Sequence, residues 1–328
     1  MTPAAEPRVS VVAATRDRPR RLAALLDALR AQTLVEAEFE VVVVDDGSGA
    51  ETVALLEDAR ERDDLALRVV RHDTPRGPGG ARNAGWRAAR AALVGFTDDD
   101  CRPAPGWLEA GLAAHEHAPE AVVQGRTEPD PAERDRLGPF SRTVHVERLG
   151  PQYETCNIFY PRELLERLGG FDEDFGLRRP GAGPAGGEDT DLAWRAIELG
   201  RPTAFCEKAL VFHAVLDLGP LGALRDATRW TETVRVFARH PGARTMLDHR
   251  LFWNVWHYLL VRSLLALLLP RRLRALRWAI LARHALALND RARTLGGGPR
   301  LLPLLVVYDL VEAVAVARGA ARHRTLVV

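Results

Sequence analysis

Cysteine is scarce in this chain: Cys101, Cys156 and Cys206 are the three present in 328 residues. An odd number without Cys-x-x-Cys spacing supplies neither a disulfide framework nor a zinc site, which points to a reducing compartment. Net charge is nearly absent as well, at +1, so no global field favours nucleic acid as a partner. Residues Met1 to Pro7 hold no apolar segment, so no signal peptide is visible. The expectation is a protein of the cytoplasm, or of the cytoplasmic face of a membrane. Long apolar runs are missing too. Leu251 to Leu269 is broken by Asn254, His257 and Arg262, and Leu301 to Val316 by Asp309 and Glu312. Neither reaches the ~20 uninterrupted residues of a spanning helix. There is no clear internal repeat, no Gly-Lys-Ser/Thr after a glycine loop, and no Gly-x-Gly-x-x-Gly after the first strand. A Walker loop and a dinucleotide fold therefore find no support.

What is present is a globular pattern. Hydrophobic residues make up 47% and charged residues 27%, which is enough apolar side chain for a sizeable core in one large or two modest domains. Val9 to Ala14, Val41 to Val44, Leu67 to Val70 and Leu93 to Phe96 read as buried strands. Between them, Pro19 suits a helix first turn and Leu22, Leu25, Leu26 and Leu29 form one helical face. A second helix carries Val53, Leu56 and Arg60; a third is predicted over Ala81 to Ala92, after a turn-rich Gly77-Pro78-Gly79-Gly80. Strand–helix–strand repetition implies α/β architecture, a mostly parallel sheet with helices on both faces, and ligands outside the carboxyl ends of the strands. Further on, Ala121 to Val123, Thr155 to Tyr160 and Leu210 to His213 read as strands, and Pro161 to Leu168 as a helix stopped by Gly169-Gly170. Gly181 to Gly187 reads as flexible, leading into a helix from Glu188 to Leu199. The expected division is a catalytic domain over 1–215 and a helical C-terminal region over 216–328.

The acidic strand ends carry the chemistry. Asp98-Asp99-Asp100 follows the fourth strand. Three adjacent carboxylates repel one another, and a hard cation such as Mg²⁺ or Mn²⁺ removes that repulsion. In extended backbone, Asp98 and Asp100 point to one side. They fit two readings: a solvated acidic turn, or a clamp for a ribose and a metal bridging two phosphates. Asp45-Asp46-Gly47-Ser48 fits an Asx turn or a contact to a base edge such as uracil N3–H. Arg82, in the glycine-rich Arg76 to Asn83, suits a phosphate. Glu188-Asp189 fits helix capping or a general base. His213, ending a strand, fits a structural role or part of a metal or phosphate shell.

Taken in order, these pieces resemble the family 2 glycosyltransferases of the GT-A fold. The matching string is Val9-Ser10-Val11-Val12 into Thr15-Arg16-Asp17-Arg18-Pro19, Val43-Val44-Asp45-Asp46-Gly47-Ser48, Gly80-Ala81-Arg82-Asn83-Ala84-Gly85, Asp98-Asp99-Asp100, Asn157 before Pro161-Arg162, Gly169-Gly170-Phe171-Asp172-Glu173, and Glu188-Asp189-Thr190-Asp191-Leu192. It covers about residues 8 to 215. The resemblance implies a Rossmann-like GT-A sheet and inverting transfer in a single displacement. It implies that Thr15, Asp17, Asp45, Asp46, Arg82, Asp98 and Asp99 bind a nucleotide-sugar donor, a UDP-sugar favoured. Asp98, Asp100 and His213 would hold Mn²⁺ or Mg²⁺. Asp189 would be the base, with Glu188 beside it, and Asn157 and Trp194 fall on the acceptor side.

Two departures bear on this. Thr-Arg-Asp-Arg-Pro stands where relatives often carry Thr-Tyr-Asn, and that loop bears on donor identity. The Gln-x-x-Arg-Trp motif of processive synthases is absent, so single transfer is expected. The acceptor class stays open among a sugar, a lipid-linked and a small-molecule hydroxyl. The C-terminal helices fit packing on the core or a peripheral membrane contact, since Arg271 to Trp278 suits an anionic lipid surface. Two rivals are a nucleotidyltransferase, which would want a glycine-rich basic loop after the first strand, and a non-catalytic sugar-nucleotide-binding protein, which would not retain both acidic motifs.

Overall fold

Four of the expected strands form the parallel half of one sheet in the computed structural model, which describes residues 6–175 and 186–328. They are β1 (Val9–Thr15), β2 (Phe39–Asp45), β3 (Leu67–Arg71) and β4 (Leu93–Asp98), in the order β3-β2-β1-β4 and all parallel. The sheet continues with β5 (Cys101–Pro103), β6 (Val122–Pro129), β8 (Asn157–Pro161) and β9 (Thr203–His213), in the order β4-β8-β6-β9-β5. β8 runs against β4 and β6, and β5 runs against β9; β6 and β9 are parallel. The architecture is the GT-A type, mostly parallel. Of the stretch Gly181 to Gly187, only the last two residues lie within the described part of the chain.

Alternation along β1 divides the core. Val9, Val11 and Ala13 face Leu22, Leu25, Leu26 and Leu29 of α1 (Pro19–Arg30), together with Trp107 and Leu108 of α4 (Trp107–His117). Val12 faces the other side, with Trp86 of α3 (Gly77–Ala88), Leu164 and Leu165 of α5 (Arg162–Leu168) and Leu192 of α6 (Glu188–Glu198). α2 (Ala50–Glu61) lies between β2 and β3 in sequence and buries Leu56 and Ala59.

Helix α3 corrects one expectation. It starts at Gly77 and ends at Ala88, not over Ala81 to Ala92. The Gly77-Pro78-Gly79-Gly80 stretch is its first turn, because Pro78 needs no partner there and Asp46 accepts hydrogen bonds from Arg76 N (2.8 Å) and Gly77 N (2.9 Å). A carboxylate from another strand end thus caps the helix.

Gly85 lets α3 lie against the sheet. A Cβ there would stand 2.4 Å from Val12 Cγ1 and 3.1 Å from Val44 Cγ2, and both neighbours are β-branched and stiff. Gly85→Ala is expected to lower stability by about 1–3 kcal/mol, outweighing the ~1 kcal/mol gain in helix propensity. A thermal unfolding midpoint at or above the wild-type value would refute this close approach.

The chain divides into two units. One holds the described residues of 6–135, 143–175 and 188–215; the other holds 136–142, 186–187 and 216–328. In the second, β7 (Ser141–Arg142) pairs antiparallel with β10 (Leu216–Asp217). It is otherwise helical: α7 (Gly219–Ala227), α8 (Trp230–Thr233), α9 (Arg235–Arg239), α10 (Val255–Leu267), α11 (Arg274–Thr294) and α12 (Leu302–Arg322). Of the polar residues that interrupt its apolar runs, His257, Asp309 and Glu312 are buried. Asn254 caps α10 through Trp256 N and His257 N and donates to Glu312 Oε2 at 2.9 Å. Arg291 donates to Asp309 at 2.7 Å and lies over the Trp256 ring at 4.4 Å. Among the described residues, no helix is long and apolar enough to cross a membrane.

Candidate active site

The polar residues singled out above gather where β1, β2, β4 and β9 end and where α3 and α6 begin. Asp98 closes β4, and Asp99 and Asp100 form the turn before β5. The extended-strand expectation that Asp98 and Asp100 share a face therefore does not apply: the chain reverses there to pair Cys101 with His213. Three side chains donate to the triplet. Thr15 Oγ1 donates to Asp99 Oδ2 at 2.8 Å. Arg18 Nη1 donates to Asp99 Oδ1 and Asp100 Oδ2, both at 3.0 Å. Arg82 Nη2 donates to Asp98 Oδ1 at 2.8 Å, and its Nη1 donates to Glu188 Oε1 at 3.0 Å.

These contacts sort the charges. Burial pushes the Asp99 carboxyl up to about 6, against the pull of Arg18 and with help from the Asp100 charge. Burial would raise Asp98 too, but the Arg82 charge and hydrogen bond outweigh it and hold Asp98 below the usual carboxylate range. Burial disfavours the Arg82 cation, yet Asp98 and Glu188 more than compensate and raise its pKa. At α6, burial and then the adjacent Glu188 charge push Asp189 up to about 7, while Arg82 opposes them. Asp189 keeps some surface exposure even though protein surrounds its carboxyl on most sides. Its Oδ1 accepts from Thr190 N at 2.8 Å. Among the described residues, Glu188 Oε2 and Arg82 Nε are buried without a hydrogen-bond partner.

Other predicted residues are occupied by the protein itself. Asp45 accepts from Ser48 N at 2.8 Å and from Arg71, while Asp46 caps α3 and lies 2.8 Å from His72 Nδ1. Asp17 takes a left-handed φ of 54° and accepts from Gly49 N at 2.8 Å, tying the first loop to the second. Asn157 is a correction. It is fully buried; its Oδ1 accepts from Trp107 Nε1 at 2.8 Å, and its Nδ2 donates to Arg126 O and Ala209 O. No polar atom of Asn157 is left for an acceptor, so its role is to join β8 to its neighbours. Trp194 is half-buried on α6 and donates to Pro151 O at 3.1 Å.

A family model described as Glycosyl transferase family 2 matches residues 10–171, which contain every one of these acidic strand ends. Residues 10–171 carry this family's domain. The chain is a glycosyltransferase that uses a nucleotide sugar. It is 28% identical to a validoxylamine A glucosyltransferase of Streptomyces hygroscopicus subsp. limoneus, over 87% of this chain and 67% of the relative. In fold it is similar to the mannosyltransferase PcManGT of Pyrobaculum calidifontis, solved with GDP-Man and Mn²⁺ (TM-score 0.57, 21% identity, 98% of this chain and 88% of that one). It is similar too to S. aureus TarS solved with UDP (TM-score 0.52, 19% identity, 97% and 92%).

A divalent cation fits part of this glycosyltransferase site. His213 Nδ1 lies 2.8 Å from Ala214 O, a carbonyl that only accepts, so Nδ1 carries the proton and Nε2 turns toward Asp100 Oδ1, 3.7 Å away. Asp100, His213 and Cys101 bring one ligand atom each within 4.8 Å of one another. Burial raises the Cys101 thiol far above its usual range, and sulfur is a softer ligand than Mn²⁺ or Mg²⁺ prefers. The remaining carboxylate and imidazole suit Mn²⁺ or Mg²⁺, which complete their shells with phosphate and water oxygens. Asp98 is not in that group. Arg18 is the participant that the sequence alone did not reveal: its carboxylate partners lie 81 and 82 residues away.

Proposed function

We propose that the protein moves a single sugar from a UDP-sugar onto an acceptor hydroxyl, with inversion at the anomeric carbon and Asp189 as general base. The observation that carries the reading is Asp189 itself, a partly open carboxyl raised to about 7 at the mouth of a buried acid–arginine cluster. A carboxylate near neutrality is matched to removing a proton from a sugar hydroxyl. As the acceptor oxygen bonds to the anomeric carbon, its proton passes to Asp189 and the bond to the diphosphate oxygen breaks. Glu188 keeps Arg82 in place, and the Arg82 cation beside Asp98 suits a phosphate-bearing donor. Asp100 and His213 would hold Mn²⁺ or Mg²⁺, and that ion, when bound, neutralises charge on the leaving diphosphate. The relative named as a glucosyltransferase makes UDP-glucose the first donor to try. The same reading includes a peripheral membrane contact by the helical unit.

The test is a thermal-shift and donor-hydrolysis screen over UDP-, dTDP- and GDP-sugars with and without Mn²⁺. We expect stabilisation by UDP-glucose that grows with Mn²⁺. Asp100→Ala and His213→Ala should each abolish the Mn²⁺-dependent part and weaken donor binding by roughly 10- to 100-fold. If neither variant changes the Mn²⁺ response, the metal assignment is wrong. If no nucleotide sugar is bound or hydrolysed, the donor reading is wrong.

A further inference from the structure

The helical unit exposes an apolar surface that its own fold does not cover. Helices α10 and α11 form a hairpin, tied by the contact of Ser263 Oγ with His284 Nδ1 at 2.8 Å. Beyond that tie, toward the turn, the hairpin exposes Leu264, Leu265, Leu267, Leu268, Leu276 and Trp278, each more than half open to solvent; Leu268 is 80% exposed and Trp278 61%. Isolated exposed leucines are ordinary, but a contiguous group of this kind marks an interaction site. Arg271, Arg272 and Arg274 lie exposed between them, and Arg277 lies against the Trp278 ring, 5.5 Å from its centre.

Charge identifies the occupant. No Asp or Glu occurs between Asp248 and Asp290, a stretch with seven arginines. A second copy of this surface would set arginines against arginines as its leucines met. An anionic bilayer accepts both features: its headgroups pair with the arginines, and its acyl boundary takes the leucines, with tryptophan at the interface. The stretch cannot insert across the bilayer, since α10 has 13 residues and α11 carries arginines through its first half.

We propose that the α10–α11 hairpin tip docks on an anionic lipid surface, with Leu264 to Leu268 and Trp278 in the interface and Arg271, Arg272, Arg274 and Arg277 on the headgroups. This deepens, and rests on, the peripheral membrane contact proposed above, and is independent of the chemistry at Asp189. The chemistry recognised is the anionic headgroup, not one lipid species.

The test is flotation of the full chain with vesicles of phosphatidylcholine alone and with 30% phosphatidylglycerol, about one part in three as a moderately anionic probe. We expect binding to the anionic vesicles at least ~10-fold tighter than to the neutral ones, and release by salt. Each arginine near such a surface contributes about fivefold. Replacing the four by Glu (R271E, R272E, R274E, R277E) should therefore weaken binding on the order of 10²-fold or more, with UDP-glucose hydrolysis unchanged. Leu267→Ser with Leu268→Ser should weaken binding to anionic vesicles while leaving hydrolysis and circular dichroism as in the wild type. Equal binding to both vesicles overturns the anionic specificity but keeps the peripheral contact. Binding to neither overturns both. A dimer in sedimentation that the same substitutions dissociate, without vesicle binding, assigns the surface to self-association and also overturns the proposal. Loss of hydrolysis in the wild type would count only against the transferase reading.

Discussion

Asp189→Asn is expected to lower transfer by about 10²–10⁴-fold, the usual contribution of a positioned base, while leaving donor affinity close to the wild-type value. Asn keeps the shape of the side chain and an oxygen that accepts from Thr190 N, but it cannot take a proton. The loss should therefore appear in kcat rather than in donor KM. The wild-type rate should rise with pH and level off above about 7, because a base works only when deprotonated and burial with the Glu188 charge places this one near 7. A second readout separates this role from a structural one. A carboxyl raised in the folded state is protonated there at pH 4, while its unfolded form, with a pKa of about 3.9, is about half protonated, so the cost is small; at pH 8 it is ionised in both states, and the buried charge opposes folding. Asp189→Asn should thus raise the unfolding midpoint at pH 8 and scarcely change it at pH 4. A variant that is inactive yet no more stable at pH 8, or one that retains transfer, would dismiss Asp189 as a buried base.

How much of this was legible in the sequence follows from the range of the interactions. β1, β2, β3 and β4 were readable because each is a short, locally apolar stretch closed by a polar end. β5 was not, since Cys101-Arg102-Pro103 has no strand pattern of its own; it exists because β9 lies beside it. That pairing is what carries His213 to Asp100. The start of α3 was misread because its cap comes from Asp46, on a strand end some 30 residues earlier. Asn157 fits a motif by position, yet the motif does not say which way an amide faces, and here it faces Trp107 and two carbonyls. Arg18 and Arg82 show the same limit from the other side. The acidic triplet was conspicuous as a string of charges, whereas the guanidinium groups that partition it are single residues whose partners are set by the fold. The triplet is consequently not three equivalent ligands: Asp98 belongs to Arg82, Asp99 to Thr15 and Arg18, and Asp100 to Arg18 and His213.

Arg82→Ala should be the most destabilising single change in the site. Its guanidinium spans Asp98 Oδ1 at 2.8 Å and Glu188 Oε1 at 3.0 Å from within the protein, where Arg82 is 8% and Glu188 5% exposed. Removing one partner of a buried ion pair leaves the other charge uncompensated, at about 3–5 kcal/mol, and here two carboxylates lose one cation. The unfolding midpoint should fall by roughly 10 °C, and donor binding should fail with it. Arg82→Lys should recover only part of this, because one ammonium on a flexible stem cannot replace a planar fork between two acceptors. The pH dependence distinguishes lost charge pairing from lost packing. In the wild type, Asp98 has a folded pKa below its unfolded value of about 3.9, so its contribution to stability is present above that value and disappears as pH falls through the lowered one. Without Arg82 the burial of Asp98 is opposed only by the weaker pull of His213 and Arg18, and its pKa rises. The stability gap between variant and wild type should therefore be widest near neutral pH and narrow steadily on acidification. A gap that is constant from pH 8 to pH 4 would mean that Arg82 holds the site by packing alone.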